Sequence, residues 1–136
     1  MMNSKNEDDD LAETLKVRMS SADAHYGGGL VDGSKILQLF GDVATALLIK
    51  HDRDEGLFRA YTSIDFLKPV FAGDYLKIHG RITEIGRSSR KMEFQALKYL
   101  RNRYDLGATS AEFLDEPILV VKATGVCVVP SLIQKK

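Results

Sequence analysis

An acidic side chain inside an apolar helical pattern is the first feature of this 136-residue chain that suggests chemistry. Asp42 lies between Phe40 and Val43, in a run whose apolar residues recur at three- and four-residue steps. A carboxylate buried there without a partner would be energetically costly, so its position requires an explanation. Asp42 is therefore either a catalytic acid or base held away from water, or a residue of the polar helical stripe in contact with water.

Two further side chains are of types that suit proton transfer. His25 stands beside Tyr26 in a glycine-rich run, where it either orients a substrate or relays a proton, or hydrogen-bonds the loop backbone and fixes its shape. Glu93 alternates with Met92 and Phe94, so it faces away from them. It is either a second catalytic carboxylate or part of a solvated outer face.

Three other patterns are set aside. Asp74 and His79 are an odd number of residues apart in a predicted strand, so they point to opposite faces. Cys127 lies between two valines and is expected to be a small core residue rather than a nucleophile. The three histidines, at 25, 51 and 79, lack metal-ligand spacing, so no metal site is predicted.

The composition limits the class of protein. Lys plus Arg and Asp plus Glu both number 19, so the cationic excess needed for non-specific nucleic-acid binding is absent. No apolar run approaches the roughly 20 residues of a membrane helix, and the polar, acidic start does not resemble a secretory signal. Hydrophobic residues make up 44% of the chain, enough for a core. We expect one small cytoplasmic domain without nucleic-acid or membrane partners.

Hydrophobic periodicity predicts one helix and five strands that would position these residues. A half-buried strand at 15–19 precedes the glycine-rich loop, and the helix covers 33–50. Four strands follow, at 57–67, 75–85, 90–100 and 118–129, with a long polar loop at 101–117. The domain is predicted to span 15–131, with a mobile acidic tail at 1–14 and a C-terminal tail at 132–136.

One helix with a single apolar stripe and one antiparallel sheet can bury their apolar surfaces in one simple arrangement. The helix must bury its apolar stripe, so the sheet must curl around it, which is the hotdog architecture of the α+β class. A ferredoxin-like domain would need a second helix, and the sequence has no second helical period. We therefore predict a hotdog fold, with an antiparallel β-sheet wrapped around one long central helix.

Four segments resemble the family of 3-aminobutyryl-CoA and β-alanyl-CoA ammonia-lyases, and the similarity extends from about residue 16 to 130. The segments 19–33 (MSSADAHYGGGLVDG) and 39–45 (LFGDVAT) are the more particular to the lyases. Two more fit, at 66–74 (FLKPVFAGD) and 123–125 (ATG). The PVxxGD part is shared with hotdog acyl-CoA thioesterases in general, so it indicates the fold and CoA rather than the reaction.

The resemblance implies reversible elimination of ammonia from a 3-aminoacyl-CoA to give an enoyl-CoA such as crotonyl-CoA, in amino-acid (lysine) fermentation. It implies no metal or organic cofactor, because CoA is part of the substrate. It also implies a homodimer with the active site at its interface, often assembled further into a hexamer as a trimer of dimers. An acyl-CoA thioesterase and a non-catalytic acyl-CoA-binding module are the alternatives.

The resemblance also bears on the site. Related thioesterases carry an acidic residue at the helical position of Asp42, which makes Asp42 the first catalytic candidate, with His25 and Glu93 beside it. The family pattern favours an acid where this chain has Gln95, so the second acid stays open, with Asp23 and Glu116 as further possibilities. The residues expected to contact the thioester or the CoA phosphates are Gly28, Gly29, Gly33, Lys68, Arg87, Ser88, Ser89 and Arg90.

Overall fold

The computed structural model describes residues 10–130 of the chain. The predicted C-terminal tail at 132–136 and most of the predicted N-terminal tail lie outside the described residues. The first strand begins at Ala12, and Leu11 already packs against the core. The folded domain therefore begins before residue 15, within the stretch that was predicted to be a tail.

The described chain forms one five-stranded antiparallel sheet and one long α-helix. The elements are β1 (Ala12–Arg18), α1 (Gly33–Asp52), β2 (Leu57–Phe66), β3 (Tyr75–Ile85), β4 (Ser89–Asn102) and β5 (Ala111–Val128). Two short 3-10 turns, Ser21–Asp23 and Gly27–Gly29, connect β1 to α1. The strand order in the sheet is β1-β3-β4-β5-β2. The predicted hotdog fold is confirmed.

One face of α1 packs against the inner face of the sheet. Phe40 stacks on Phe94 of β4 with 5.2 Å between ring centroids. Gly80 of β3 lets the helix approach closely, since a Cβ there would lie 2.7 Å from a methyl group of Val43. Within residues 10–130, no helix combines the length and the apolar character needed to cross a membrane.

The prediction of a long loop at 101–117 is wrong. β4 continues to Asn102 and β5 begins at Ala111, so the two strands form an extended hairpin with a short connection. Pro117 suggested a loop, but it lies where strand pairing is irregular, between the pairs made by Phe113 and Ile118. A proline there removes no regular ladder hydrogen bond, so the strand tolerates it.

A buried ion pair fixes the C-terminal end of α1 to the sheet. Nε and Nη2 of Arg90 donate to the two carboxylate oxygens of Asp52 at 2.9 and 2.8 Å, and both side chains are at most 1% exposed. Nη1 of Arg90 donates to the carbonyls of Gly86 and Ser89. Burial alone would raise the pKa of Asp52, but the hydrogen bonds and charge of Arg90, together with those of the adjacent His51, outweigh it and hold the pKa below its usual value.

We predict that Arg90→Met lowers the free energy of unfolding by about 3 kcal/mol, because the buried Asp52 loses both bonds from Arg90 and keeps only His51, 3.2 Å away, as a partner. Urea titrations at one fixed protein concentration measure the change. The matched control is Lys91→Met, whose ion pair with Glu84 is more than half exposed and should contribute about 0–1 kcal/mol. Equal losses in the two variants would contradict the structural role of Arg90.

The stabilisation that the Arg90–Asp52 pair provides depends on pH. Because the folded pKa of Asp52 is depressed, its contribution is complete above the unfolded value of about 4 and is lost as the pH falls through the folded value. The stability difference between wild type and Arg90→Met should therefore shrink in acid. A difference that grows below about pH 4 would contradict this assignment.

Candidate active site

The glycine-rich loop before α1 is fixed against the segment that precedes β3. Gly28 and Gly29 have φ values of 74° and 78°, a region that favours glycine. The amide of Ala72 donates to the carbonyl of Gly29 at 2.9 Å, and the amide of Val31 to that of Val70 at 2.8 Å. The loop and the FLKPVFAGD segment therefore form one surface at the N-terminal end of α1.

An apolar hollow of about 570 Å³ opens at the start of α1. Leu30, Ile36, Phe66 and Val121 contribute to its wall, together with Lys68 at its edge. Gly33 begins the helix here, and a Cβ at this position would displace the exposed ring of Phe66. The hollow brings an apolar surface to the backbone N–H groups of the first helical turn, which lack partners inside the helix.

A basic groove of about 950 Å³ adjoins this apolar hollow, and the two share Lys68 and Pro69. Gly28, Gly29 and Lys68, all predicted to contact CoA, do lie together in it. The structure adds three cationic residues that the sequence analysis missed, Lys98, Arg101 and Arg103. Arg101 and Arg103 fall in the stretch that the sequence assigned to a loop, whereas Lys98 falls in the predicted strand at 90–100, where a single lysine does not indicate a groove.

Most of the cations in the basic groove already have acidic partners. Lys98 lies 2.9 Å from the buried Asp74, and Arg101 lies 2.7 Å from Glu112. Arg103 pairs with Asp105 and Glu112. Among the described residues Lys68 has no acidic partner, so it is the cation most available to an anionic ligand.

His25 lies in a separate polar hollow of about 390 Å³ on the other side of the helix start. Its ring makes an edge-on contact with Tyr26, with centroids 5.0 Å apart. Asp23, a possible second acid, accepts hydrogen bonds from the amide and hydroxyl of Ser20 and lies 3.4 Å from Lys35. Asp23 therefore acts as a loop-closing residue.

Of the two alternatives for Asp42, the structure supports the position on the polar stripe of the helix, in contact with water. The sheet covers only one stripe of α1, and Asp42 is rotated by about 200° from Phe40 on the helix. Asp42 is exposed on the opposite stripe, which we call the open face, together with Gln38 and Ile49. The carboxylate is thus accessible to a ligand or to a second protomer rather than enclosed by its own chain.

Glu93 does not share a site with Asp42 within one protomer. It lies on the outer face of the sheet, in register with Arg81 and Thr124, while α1 covers the inner face. The alternation correctly indicated an outward position, and Glu93 is exposed there. Its role as a second carboxylate stays a prediction. Glu116 is likewise exposed, on β5.

The predicted CoA residues fall into two groups. Gly28, Gly29, Gly33 and Lys68 surround the start of α1, whereas the turn 86–89 lies beside its end, where Arg90 reaches Asp52. A helix of 20 residues is about 30 Å long, so the groups are about that far apart. The turn contains Arg87, Ser88 and Ser89. Arg90, which follows it, is only 1% exposed, and its guanidinium is bonded to protein groups. Arg90 as a CoA ligand is contradicted.

The structure also shows the positions of the residues whose patterns were set aside in the sequence. Asp74 is buried beside Lys98, whereas His79 accepts or donates a hydrogen bond with Thr14 on the outer face. Cys127 is fully buried, and burial raises the pKa of its thiol to about 11. Among residues 10–130, no group of three or more His, Cys, Asp or Glu could hold a metal ion.

Comparisons with known proteins agree with this arrangement. The family model of the thioesterase superfamily matches residues 28–98. A 3-aminobutyryl-CoA ammonia lyase of Acetoanaerobium sticklandii is 56% identical over 126 residues, which cover 93% of this chain and all of the relative.

Solved structures give the same result. The β-alanyl-CoA:ammonia lyase from Clostridium propionicum superposes with a TM-score of 0.88 at 34% identity, covering 91% of this chain and 88% of that one. A hexameric hotdog-fold thioesterase of Campylobacter jejuni has a TM-score of 0.71 at 19% identity, over 90% and 86% of the two chains, and shares the fold. The resemblance inferred from the motifs is confirmed: the chain belongs to the thioesterase superfamily and, within it, to the 3-aminobutyryl-CoA and β-alanyl-CoA ammonia lyases.

Proposed function

We propose that the protein is a carbon–nitrogen lyase that reversibly eliminates ammonia from a 3-aminoacyl-CoA, with 3-aminobutyryl-CoA as substrate and crotonyl-CoA as product. The observation that carries the proposal is the 56% identity to a 3-aminobutyryl-CoA ammonia lyase along that relative's whole length. CoA is part of the substrate, and the scheme uses no metal or organic cofactor. The role in lysine fermentation and the cytoplasmic location stay predictions.

Asp42 is the base in this scheme. It removes a proton from the carbon next to the thioester carbonyl, and the electron pair of that C–H bond forms the new double bond. The C–N electron pair leaves with nitrogen as ammonia, which takes the proton and departs as ammonium. The base is the partner's Asp42, because Asp42 of the same chain lies nine residues, about 14 Å, beyond the helix start where the thioester binds. Its carboxylate is exposed, so it can reach a substrate held by the neighbouring protomer.

The start of α1 stabilises the charge that develops on the thioester oxygen. Backbone N–H groups of the first helical turn lack intrahelical acceptors, and the helix dipole adds positive potential. The apolar hollow beside Gly33 would hold the acyl chain. One such donor is worth about 2.7–4 kcal/mol in transition-state stabilisation. His25, at the rim of the polar hollow, is placed to orient the substrate or relay a proton.

The basic groove is the proposed site for the phosphate groups of CoA. Lys68 borders both the groove and the apolar hollow, so one extended ligand can occupy both. Cations that are already paired with acids offer a weaker attraction, which leaves Lys68 as the principal contact. Gly28 and Gly29 allow the backbone to approach the ligand closely.

A second protomer completes the site. β2 is a ten-residue edge strand with exposed apolar residues at its ends, Leu57 and Phe66. The other edge, β1, carries exposed charges of one sign, Lys16 and Arg18, which oppose pairing with a copy. The exposed charges of β2, Arg59 and Asp65, are instead of opposite sign. The edge of β2 is therefore the one expected to pair with its copy in a homodimer. Further assembly into a hexamer stays a prediction; hexameric hotdog thioesterases are among the related structures.

Such a dimer would reunite the two groups of CoA residues. A continuous sheet with both helices on one side requires a twofold axis perpendicular to the sheet, so the two β2 strands run antiparallel. The start of α1 in one protomer then lies at the same end as the partner's turn 86–89. We propose that Lys68 of one protomer and Arg87, Ser88 and Ser89 of the other hold one CoA.

The rival function is an acyl-CoA thioesterase, which the match to the thioesterase superfamily favours. There Asp42 would activate water or attack the thioester. The two functions are distinguished by incubation of the protein with crotonyl-CoA and ammonium. We expect loss of the enoyl-thioester absorbance and an ammonia adduct by mass spectrometry, without release of free CoA thiol. Thiol release without an adduct would establish the thioesterase instead.

We predict that Asp42→Asn lowers kcat for ammonia addition by about 10²- to 10⁴-fold, because the amide cannot accept the α-proton. The unfolding midpoint and the affinity for crotonyl-CoA should change little, since the side chain is exposed. Glu84→Gln is the matched control, as it neutralises an exposed carboxylate whose side chain is 67% accessible on β3. A near-normal rate in Asp42→Asn would remove this residue from the mechanism.

A further inference from the structure

One carboxylate stands on the boundary between the apolar hollow and the polar hollow. Asp32 and Ser34 are the two residues that line both of them. On one side are Leu30, Ile36 and Phe66; on the other are His25 and Gln38. A substrate whose acyl chain occupies the apolar hollow would therefore present its polar substituent to Asp32.

Asp32 lies where a residue usually caps the helix, but its side chain does not do so. It is the N-cap residue of α1, but its side chain makes no capping hydrogen bond to the helix. Its carboxylate accepts the hydroxyl proton of Ser34 instead. The hydrogen bond from Ser34, aided by the nearby His25, holds the pKa of Asp32 below its usual value, so it is an anion at neutral pH.

The neighbouring Asp23 provides a contrast inside the same hollow. Its carboxylate accepts two hydrogen bonds from Ser20 and pairs with Lys35. Those contacts close the loop before Tyr26 and use the charge of Asp23 within the protein. Asp32 has no ion pair with a Lys or Arg among the described residues, so its negative charge is available to a ligand.

From this placement we infer that Asp32, held by Ser34, is the residue that binds the amino group of the substrate as ammonium. The inference rests on the proposed ammonia-lyase function and adds the group that distinguishes a 3-aminoacyl-CoA from an unsubstituted acyl-CoA. An anion beside the amine keeps it protonated, and a carboxylate is a charge-assisted acceptor for its N–H groups. Asp32 thereby holds the nitrogen that departs as ammonium, while the partner's Asp42 takes the carbon-bound proton, since Asp42 of the same chain lies about 15 Å further along α1.

The test is the kinetics of ammonia addition to crotonyl-CoA, with ammonium chloride and crotonyl-CoA varied separately at constant ionic strength. Asp32→Asn should raise KM for ammonium by about 10- to 100-fold, the worth of one hydrogen bond to a charged group. KM for crotonyl-CoA should stay within about 2-fold of wild type, because this substrate carries no amine. A purely structural role would not separate the two constants.

Asp23→Asn is the matched control from the same hollow. It should lower the unfolding temperature by loosening the loop, while the ratio of the two KM values stays as in wild type. If wild type adds ammonia and Asp32→Asn has an unchanged KM for ammonium, the inference is wrong and the proposed function stands. If wild type forms no adduct at all, the proposed function itself fails, and the assignment of Asp32 fails with it.

Discussion

The packing of one helix against one face of one sheet is the constraint on which the whole protein depends. Phe40, Val43 and the other buried residues of α1 fill the inner face of the sheet, and Gly80 allows the close approach. The same packing leaves the other face of α1 uncovered and places Asp42 on it. A two-layer protomer thus builds a stable core and presents the proposed functional groups at its open side and at the helix start.

The site is distributed because the core occupies the middle of the protomer. The basic groove, the apolar hollow and the polar hollow surround the start of α1, while the turn after β3 lies near its end, where Arg90 holds Asp52. Arg90 and Asp52 pair with each other inside the protein, so neither charge is available to a ligand. Some charged groups are used entirely to join elements, and others, such as Lys68 and Asp32, keep their charge available.

The sequence predicted the parts of the fold that depend on periodicity. The apolar stripe of α1 and the alternation of Met92 and Phe94 led to the correct helix, the correct faces and the hotdog arrangement. The sequence could not reveal which cations are consumed by partners, because Arg90 pairs with Asp52, 38 residues away in the chain. It also left the environment of Asp42 open, because periodicity gives the direction of a side chain but not the number of layers that cover it.

The central claim is that each active site combines the helix start of one protomer with the turn of the other. Dimers mixed from Lys68→Ala and Arg87→Ala chains, isolated through two tags, test it at low crotonyl-CoA concentration. We expect these dimers to have about half as many intact sites as wild type, and dimers of wild type with a chain carrying both changes to have none. Intact sites only in dimers of wild type with the doubly changed chain would show that each site lies within one protomer, and would contradict the shared site.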